Sequence, residues 1–386
     1  MENKLITPEY LHYISTTKIT KPIFRVEILN KFNDTIEKSI NGYVENNSGK
    51  ITISNTDGMR RTCSLTLRNY SNEFTEYFDG ISLGERFKVY LGYDMGSSQV
   101  LFPQGVFIYS NPSLTSDTAR KVVNVDGSDK WSLISGECGG ILQGTYQVKK
   151  GTSLGEFVKN TLALDIVGDY TPPNIDESVF DAKTTYDIVH EAGETIADVV
   201  LEVAMNLSCN VYYDENGVFT MTPFVYDTER PSIYSFHEND INYISGKKTY
   251  QLDGVYNAVL VVSDNMQNDS TPIRSYLENT DLSDENSPLN GTPLKIYIPN
   301  NYLEGIDTQE KADARARYEL KIVTAMQSTV SIESKALYHF VENNIVTITD
   351  PHLNCDNERF LISGISFDIG SNGGMSLDVV KARKYL

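Results

Sequence analysis

The strongest constraint on the fold is two-residue alternation of apolar and polar side chains at both ends of the chain, interrupted by a middle block with helical spacing. Alternation with a period of two predicts half-buried β-strands, and Asn, Asp and Gly between the segments predict turns. The first region contains six such segments, at 24–29, 50–54, 63–68, 86–93, 105–109 and 121–126. We therefore expect an antiparallel sandwich or barrel at this end, after a polar lead-in over residues 1–22.

The pattern changes near residue 150. Ser153 and Glu156 have the spacing of a helix-capping box, and apolar residues then recur at helical intervals. A second box begins at Thr195 with Asp198 in its fourth position, and it is followed by a two-strand pattern around Asn216-Gly217. This middle block is predicted to be α+β.

The last part of the chain returns to alternation, with strands expected at 258–262, 328–334, 345–349, 359–367 and 375–380 and one helix at 308–326. Residues 264–293 are rich in Asn, Asp, Ser and Pro, which predicts a long polar loop. The predicted fold is mainly β, with two antiparallel barrels and a small α/β domain. The expected boundaries are 23–140 for the first barrel, 141–224 for the α/β domain, joined by the helix at 308–326, and 225–386 for the second barrel.

The net charge and its distribution along the chain exclude some classes of function. The net charge is −19, and residues 161–300 contribute 6 basic against 23 acidic side chains, or −17. Tight nucleic-acid binding needs a basic face, so the balance argues against it. The acidic block is interpreted as a solvated surface or, alternatively, as a face that repels polyanions or attracts cations.

Targeting and redox signals are weak. We find no run of about 18 apolar residues, and therefore expect no transmembrane helix or membrane anchor. The N-terminus lacks the basic-then-apolar pattern of a signal peptide, which favours synthesis in a cytoplasm and release by another route. Cys63, Cys138, Cys209 and Cys355 are widely spaced, so reduced and mostly buried cysteines are expected.

One motif suggests catalysis. Residues 151–155, Gly-Thr-Ser-Leu-Gly, match the G-x-S-x-G elbow of serine hydrolases. A hydrolase of that type needs alternating strands and helices around a parallel sheet, which this sequence does not predict. We therefore favour Ser153 as a helix N-cap and expect no catalytic residue.

Metal and cofactor signals are equally sparse. The five histidines are scattered, and His190-Glu191 lacks the second histidine of a zinc-binding helix. Residues 281–286 could hold calcium, but they lack the glycine and terminal glutamate of a calcium loop, so a plain acidic loop is favoured. The lone Trp131 is interpreted as a core anchor. No cofactor, metal or catalytic residue is assigned.

The order of segments resembles the baseplate or tail-tip hub proteins of tailed bacteriophages and contractile injection systems. Four stretches carry this resemblance: the Arg-Arg strand at 58–67, the segment at 123–134, the helix and hairpin at 195–223, and the helix at 308–326 with the strands that follow it. Each motif is weak alone, and their order and spacing make the likeness.

The resemblance implies a structural virion protein of the tail tip, made in the host cytoplasm and used in host infection. Such hubs are homotrimers whose two barrels per chain form a ring of six around a DNA channel. The implied partners are tail-tube and distal-tail proteins, a tape measure protein, and a spike or tail lysin. Because the sequence ends directly after its last predicted strand, we expect wall-cutting activity to belong to another chain. We also hypothesise that part of the acidic block faces the channel.

Three alternatives stay open at this point. A receptor- or carbohydrate-binding tail protein would use a shallow aromatic-lined groove, which a β-rich chain permits. A distal-tail ring protein would be hexameric. A cell-wall hydrolase would depend on Ser153.

Overall fold

The computed structural model describes residues 5–74, 85–223, 230–250, 256–267, 271–282, 284, 286–300, 303, 305–325 and 328–382. Its first part contains one helix and seven strands: α1 (Pro8–Thr16), β1 (Pro22–Leu29), β2 (Ile36–Ser39), β3 (Gly49–Ser54), β4 (Arg61–Arg68), β5 (Arg86–Asp94), β6 (Gln99–Ser116) and β7 (Lys121–Asp129). The six strands predicted from alternation are confirmed. The polar lead-in expected over residues 1–22 is wrong in part, because it contains α1, which places Tyr10 and Ile14 in the core. The short exposed strand β2 was not predicted.

The middle part is α+β, as predicted. It consists of β8 (Tyr146–Val148), α2 (Leu154–Leu162), β9 (Asn174–Ile175), α3 (Glu177–Phe180), β10 (Ile188–His190), α4 (Ile196–Leu207), β11 (Cys209–Tyr213) and β12 (Phe219–Pro223). The box at the start of α4 is complete, because Thr195 and Asp198 each bond the other's backbone N–H. The predicted hairpin is β11 and β12, which pair antiparallel. We call residues 130–223 the insertion.

The last part carries nine strands and one helix among its described residues: β13 (Tyr234–His237), β14 (Tyr243–Tyr250), β15 (Ala258–Gln267), β16 (Thr271–Glu278), β17 (Ile296–Tyr297), α5 (Gln309–Ala325), β18 (Ser328–Lys335), β19 (Ile345–Asp350), β20 (Cys355–Ile369) and β21 (Gly374–Lys381). The predicted helix at 308–326 is confirmed as α5, although Met326 lies outside the described residues. The predicted boundary at 224/225 also lies outside them.

The predicted polar loop at 264–293 is wrong over most of its first half. β15 extends to Gln267, and β16 pairs antiparallel with it. The alternation of Ile273 and Leu277 with polar neighbours forms a strand whose inner face, with Val259 and Val261, packs on α5. The strand was not predicted because its exposed positions and the residues after it are polar, a composition that is typical of a loop.

Most strands belong to one large sheet. Its order in the described chain is β14-β18-β21-β20-β3-β4-β7-β6-β5-β1-β2, with β19 pairing β20 and β13. The fold is mainly β and largely antiparallel, as predicted. The described pairings leave β14 and β2 as end strands, so they do not close a barrel.

The two β regions are joined through β3 and β20. These strands pair antiparallel from Gly49↔Ile369 to Ser54↔Gly364. One apolar core includes side chains from both regions, among them Val89, Phe107, Ile348 and Phe367. A second core lies within the insertion and contains Trp131, as expected for a core anchor. The third core lies between α5 and the β16-β15-β17 sheet.

Candidate functional site

The Arg-Arg strand begins at a sharp turn that touches the insertion. Gly58 has φ +96°, a left-handed conformation that favours glycine, and an added Cβ would lie 3.2 Å from the Trp131 indole. The Gly58 N–H donates to the Val211 carbonyl at 3.0 Å. In return the Val211 N–H donates to Asp57 Oδ1 at 3.1 Å. The turn therefore fixes the start of β4 against β11.

Two buried arginines follow this turn, and both contact one carboxylate. Arg61 Nη2 lies 2.9 Å from Glu342 Oε2 and 3.1 Å from Oε1. Arg60 Nη1 lies 3.2 Å from Glu342 Oε1. The three side chains are only 1 %, 1 % and 4 % exposed, so both guanidinium groups depend on protein partners.

The remaining donors reach the insertion and the turn. Arg61 Nη1 donates to the Tyr213 carbonyl at 2.7 Å. Arg60 Nε donates to the Thr56 carbonyl at 2.7 Å, and its guanidinium carbon lies 3.6 Å from the centre of the Tyr212 ring. A planar guanidinium suits this combination of forked hydrogen bonds and ring stacking.

Asp129 secures the backbone of the two arginines. Its Oδ2 accepts the N–H groups of Arg60 and Arg61, both at 2.9 Å, and its Oδ1 accepts the Trp131 N–H at 3.0 Å. Burial raises the pKa of Asp129 to about 6, against the opposing effect of these N–H donors. We call Arg60, Arg61, Asp129 and Glu342 the arginine junction. It joins the first β region, the last β region and the insertion.

A second buried ion network holds the other side of the insertion. Lys130 Nζ lies 2.5 Å from Asp34 Oδ2 and 2.9 Å from Asp169 Oδ1, and the lysine side chain is 0 % exposed. Arg86 Nη1 lies 2.7 Å from Asp34 Oδ1. Although burial acts to raise it, Lys130 and Arg86 hold the pKa of Asp34 below its ordinary value. We call Lys130, Asp34, Asp169 and Arg86 the lysine junction.

Two adjoining cavities lie beside the arginine junction. One, of about 460 Å³, is lined by charged and polar side chains that include Arg60, Tyr212 and Lys321. The other, of about 450 Å³, shares Lys321 and is lined by apolar groups such as Met205 and Ile322. Burial lowers the pKa of Lys321 to about 8, and Arg230 adds to this effect.

The chain is similar to known proteins in structure but not in sequence. No protein-family model matches the sequence, and no curated protein matches it. The fold is similar to that of the 43 kDa tail protein of prophage MuSo2 from Shewanella oneidensis, with a TM-score of 0.62, 14 % identity, and 93 % of this chain and 98 % of that chain covered. It is also similar to the tail protein from Neisseria meningitidis MC58, with a TM-score of 0.63, 11 % identity, and coverage of 94 % and 96 %.

This chain has a phage tail-protein fold. It also matches a chain of the half-lidded Francisella PdpA-VgrG complex, with a TM-score of 0.57 and 10 % identity, over 98 % of this chain but 61 % of that chain. The resemblance drawn from the order of sequence segments is thus confirmed at the level of fold. Identities of this size carry no residue role from those proteins to this one.

Within the tail-protein fold, Ser153 is a helix cap. Its oxygen accepts the Glu156 N–H at 3.3 Å, and its hydroxyl donates to the Phe180 carbonyl at 2.7 Å. The strand before it, β8, pairs antiparallel with β10 rather than within a parallel sheet. Gly155 is required by packing, because a Cβ there would lie 2.4 Å from the Phe180 Cα. The G-x-S-x-G match is therefore explained without a nucleophile.

The other candidate residues do not assemble into a site. Among the described residues, no group of three or more His, Cys, Asp or Glu side chains could hold a metal ion. Asp284 is buried and accepts from Asn279 and the Asn286 N–H, so it stabilises its own loop; Ser283 and Glu285 lie outside the described residues. The four cysteines are free, and Cys138 alone is exposed.

In the part of the chain that the structure describes, no helix has both the length and the apolar character needed to cross a bilayer. Sequence reasoning noticed Arg60 and Arg61 only as part of a family-like strand. It missed Glu342, Asp129 and both partners of Lys130. The usable signal was two adjacent arginines in a strand with buried neighbours, since such charges need buried acids nearby.

Proposed function

We propose that this chain is a structural protein of a phage-type tail, acting as a homotrimeric hub at the distal end of the tail tube. The single observation that carries the proposal is the match to two tail proteins over nearly the whole length of both chains. A match confined to one region would fit a shared domain, whereas an end-to-end match fits a shared role. The assigned role is non-enzymatic.

The proposal includes the arrangement implied by the sequence resemblance. In it, the regions 23–140 and 225–386 act as two tube-like units, with 141–224 as the inserted domain. Three copies then supply six units around a channel through which DNA passes without specific binding. Tail-tube and distal-tail proteins, a tape measure protein and a spike or tail lysin are the proposed partners. The proposed location is the tail tip of the virion.

The two ion junctions fit a structural role that needs a rigid chain. A hub must keep its parts in fixed relative positions while other tail components attach on either side. Buried ion pairs add little net stability, but they tolerate few alternative geometries because displaced partners become unpaired buried charges. The arginine junction meets this need where three parts of the chain converge.

Electron microscopy of labelled particles tests this proposal. Tail particles from the strain that encodes the chain would be incubated with a gold-labelled antibody raised against the purified protein. We expect label at one end of the tail only. Label along the tail, on side fibres or on the capsid would overturn the proposed position, and particles without label would overturn the virion assignment.

A further inference from the structure

His190 lies at the end of β10 with a carboxylate at each ring nitrogen. Its Nδ1 lies 3.0 Å from Glu194 Oε2, and its Nε2 lies 2.9 Å from Glu202 Oε2. The imidazole is 7 % exposed; Glu202 is 12 % exposed and Glu194 is 47 % exposed, so Glu202 is the buried partner of the ring. Glu194 lies in the turn before α4, and Glu202 lies on α4. The ring therefore bridges β10 and α4.

The ring must be charged for both contacts to be attractive. A neutral imidazole carries one N–H and one lone pair, and the lone pair would face a carboxylate oxygen. The imidazolium carries an N–H on each nitrogen: Nδ1 hydrogen-bonds Glu194, and Nε2 lies at ion-pair distance from Glu202 without the geometry of a hydrogen bond. Contact with Glu202 is the main influence that raises the pKa of His190; burial opposes it, and the charges of Glu202 and Glu194 add to it.

The segment before β10 and the turn before α4 contribute further polar groups to this network, whereas the hydroxyl of Tyr146 on β8 bonds Thr161. Tyr186, in the segment before β10, donates its hydroxyl to Glu202 Oε1. Glu191, in the same turn as Glu194, donates its N–H to Glu194 Oε2 at 2.6 Å. On the neighbouring strand β8, Tyr146 is the register partner of His190. The contacts that the described chain makes at the two ring nitrogens are thus both with acids.

The network continues beyond α4. Asn206 Nδ2, at the end of that helix, donates to the Tyr186 hydroxyl at 2.7 Å. Asn206 in turn lies against Gly305, where an added Cβ would be 2.0 Å from its Oδ1. Gly305 belongs to the segment that precedes α5, and its carbonyl is 3.5 Å from Lys311 Nζ. A change at His190 is therefore connected to the contact between the insertion and α5.

We propose that His190 is a proton-operated latch: the protonated ring ties the β8–β10 pair to α4, and loss of that proton loosens the pair. The latch is independent of the tail-hub role, because it requires only this chain. It holds the insertion in a closed form below the ordinary histidine pKa of about 6.5 and loosens it as pH rises through the raised pKa of His190. The signal reaches α5 through Tyr186, Asn206 and Gly305.

Histidine-selective ¹³C labelling and NMR titration of the full chain test the charge state. The His190→Gln variant assigns the His190 signal. We expect its midpoint to lie above the ordinary histidine value of about 6.5, while the midpoint of buried His339, which has no carboxylate partner among the described residues, should lie well below that value. The Glu202→Gln variant should lower the His190 midpoint. A wild-type midpoint below about 6.5 would overturn the proposal, whatever the variants do.

Amide hydrogen exchange between pH 6 and pH 9, corrected for intrinsic rates, tests the loosening. If the pKa of His190 is one unit higher in the closed form than in the open form, the equilibrium constant for opening should be about tenfold larger at alkaline pH than at acidic pH. We expect this at β8, β10 and the start of α4, with β3 and β20 as internal references. His352→Gln, at an exposed histidine, is the matched control and should keep the effect. Equal pH response in β10 and β20 of the wild-type chain would overturn the latch.

Discussion

The arginine junction and the lysine junction solve the same problem with different side chains. In the first, two guanidinium groups share Glu342 and spread their other donors over carbonyl groups and an aromatic ring. In the second, a point-like ammonium sits between Asp34 and Asp169, and Asp34 is also held by Arg86. In the arginine junction both cations depend on Glu342, and among the described residues only Arg60 has a further acid, Asp57, whose Oδ1 lies 3.7 Å from Arg60 Nη2. In the lysine junction Lys130 contacts two acids and Asp34 contacts two cations.

This difference predicts different tolerance to damage. Removing Glu342 leaves Arg61 with no ion pair in the described part of the chain and leaves Arg60 with only its longer contact, 3.7 Å, to Asp57. Removing the lysine leaves Asp34 with Arg86 and strands mainly Asp169. The free energy of unfolding lost at each junction should therefore depend on whether the remaining charges keep an ion partner, rather than on the number of ion pairs.

The largest effect is expected from Glu342→Gln. The amide keeps the shape but removes the charge that both guanidinium groups need, so the free energy of unfolding should fall by about 3–5 kcal/mol. Urea denaturation followed by fluorescence measures it. The matched control is Glu333→Gln, at an exposed carboxylate on β18, which should change stability by less than about 0.5 kcal/mol. Equal losses in the two variants would contradict the importance of the arginine junction.

Lys130→Met should cost less, about 2–4 kcal/mol, because Asp34 retains Arg86 while Asp169 loses its ammonium partner. The same denaturation experiment applies. Lys149→Met removes an exposed lysine paired with Asp187 and should leave the midpoint within experimental error. If Lys130→Met proves more costly than Glu342→Gln, the ion partners that remain are not the deciding property.

Acid titration tests a third kind of buried charge site, the base His339, which has no carboxylate partner in the part of the chain that the structure describes. His339 lies among Tyr10, Phe102 and Phe340, and burial lowers its pKa to about 4. The unfolded chain binds this proton near pH 6.5, so the His339 contribution is present above that pH and is lost as pH falls toward 4, by up to about 3 kcal/mol. His339→Gln should reduce the slope of stability against pH by about one proton. His352→Gln should not; an unchanged slope in His339→Gln would refute the assignment.

The smallest effect is expected from Arg61→Lys, which keeps the charge but loses the fork. A single ammonium nitrogen cannot occupy the positions of both Nη1, which bonds the Tyr213 carbonyl, and Nη2, which bonds Glu342, so the loss should be about 1–3 kcal/mol. Arg120→Lys, at an exposed arginine paired with Glu45, is the control and should leave the free energy of unfolding unchanged. A silent Arg61→Lys variant would show that charge alone suffices at this junction.

The sequence was most informative where local patterns determine structure. Alternation located β1, β3–β7 and β18–β21, and capping residues located α2 and α4. It failed at α1 and β16, since only tertiary packing reveals that Tyr10 enters the core or that Ile273 and Leu277 face α5. Strand alternation does not specify which strands pair, so it could not predict that β3 pairs with β20 and joins the two β regions. The presence of two barrels therefore remains a prediction.

The junctions were beyond sequence reasoning for a related reason. Arg61 and Glu342 are separated by 281 residues, and Lys130 and Asp34 belong to different parts of the fold. Among 52 acidic residues, nothing local distinguishes the few that enter the core. Only the need of buried arginines for buried acids could have been stated in advance.

The central claim, a homotrimeric tail hub, is tested most directly by the solution mass from light scattering on a sizing column, measured over a range of protein concentrations. The account predicts three copies of the 43.3 kDa chain, about 130 kDa. A hexamer of about 260 kDa, or a 43.3 kDa monomer at every concentration, would contradict it.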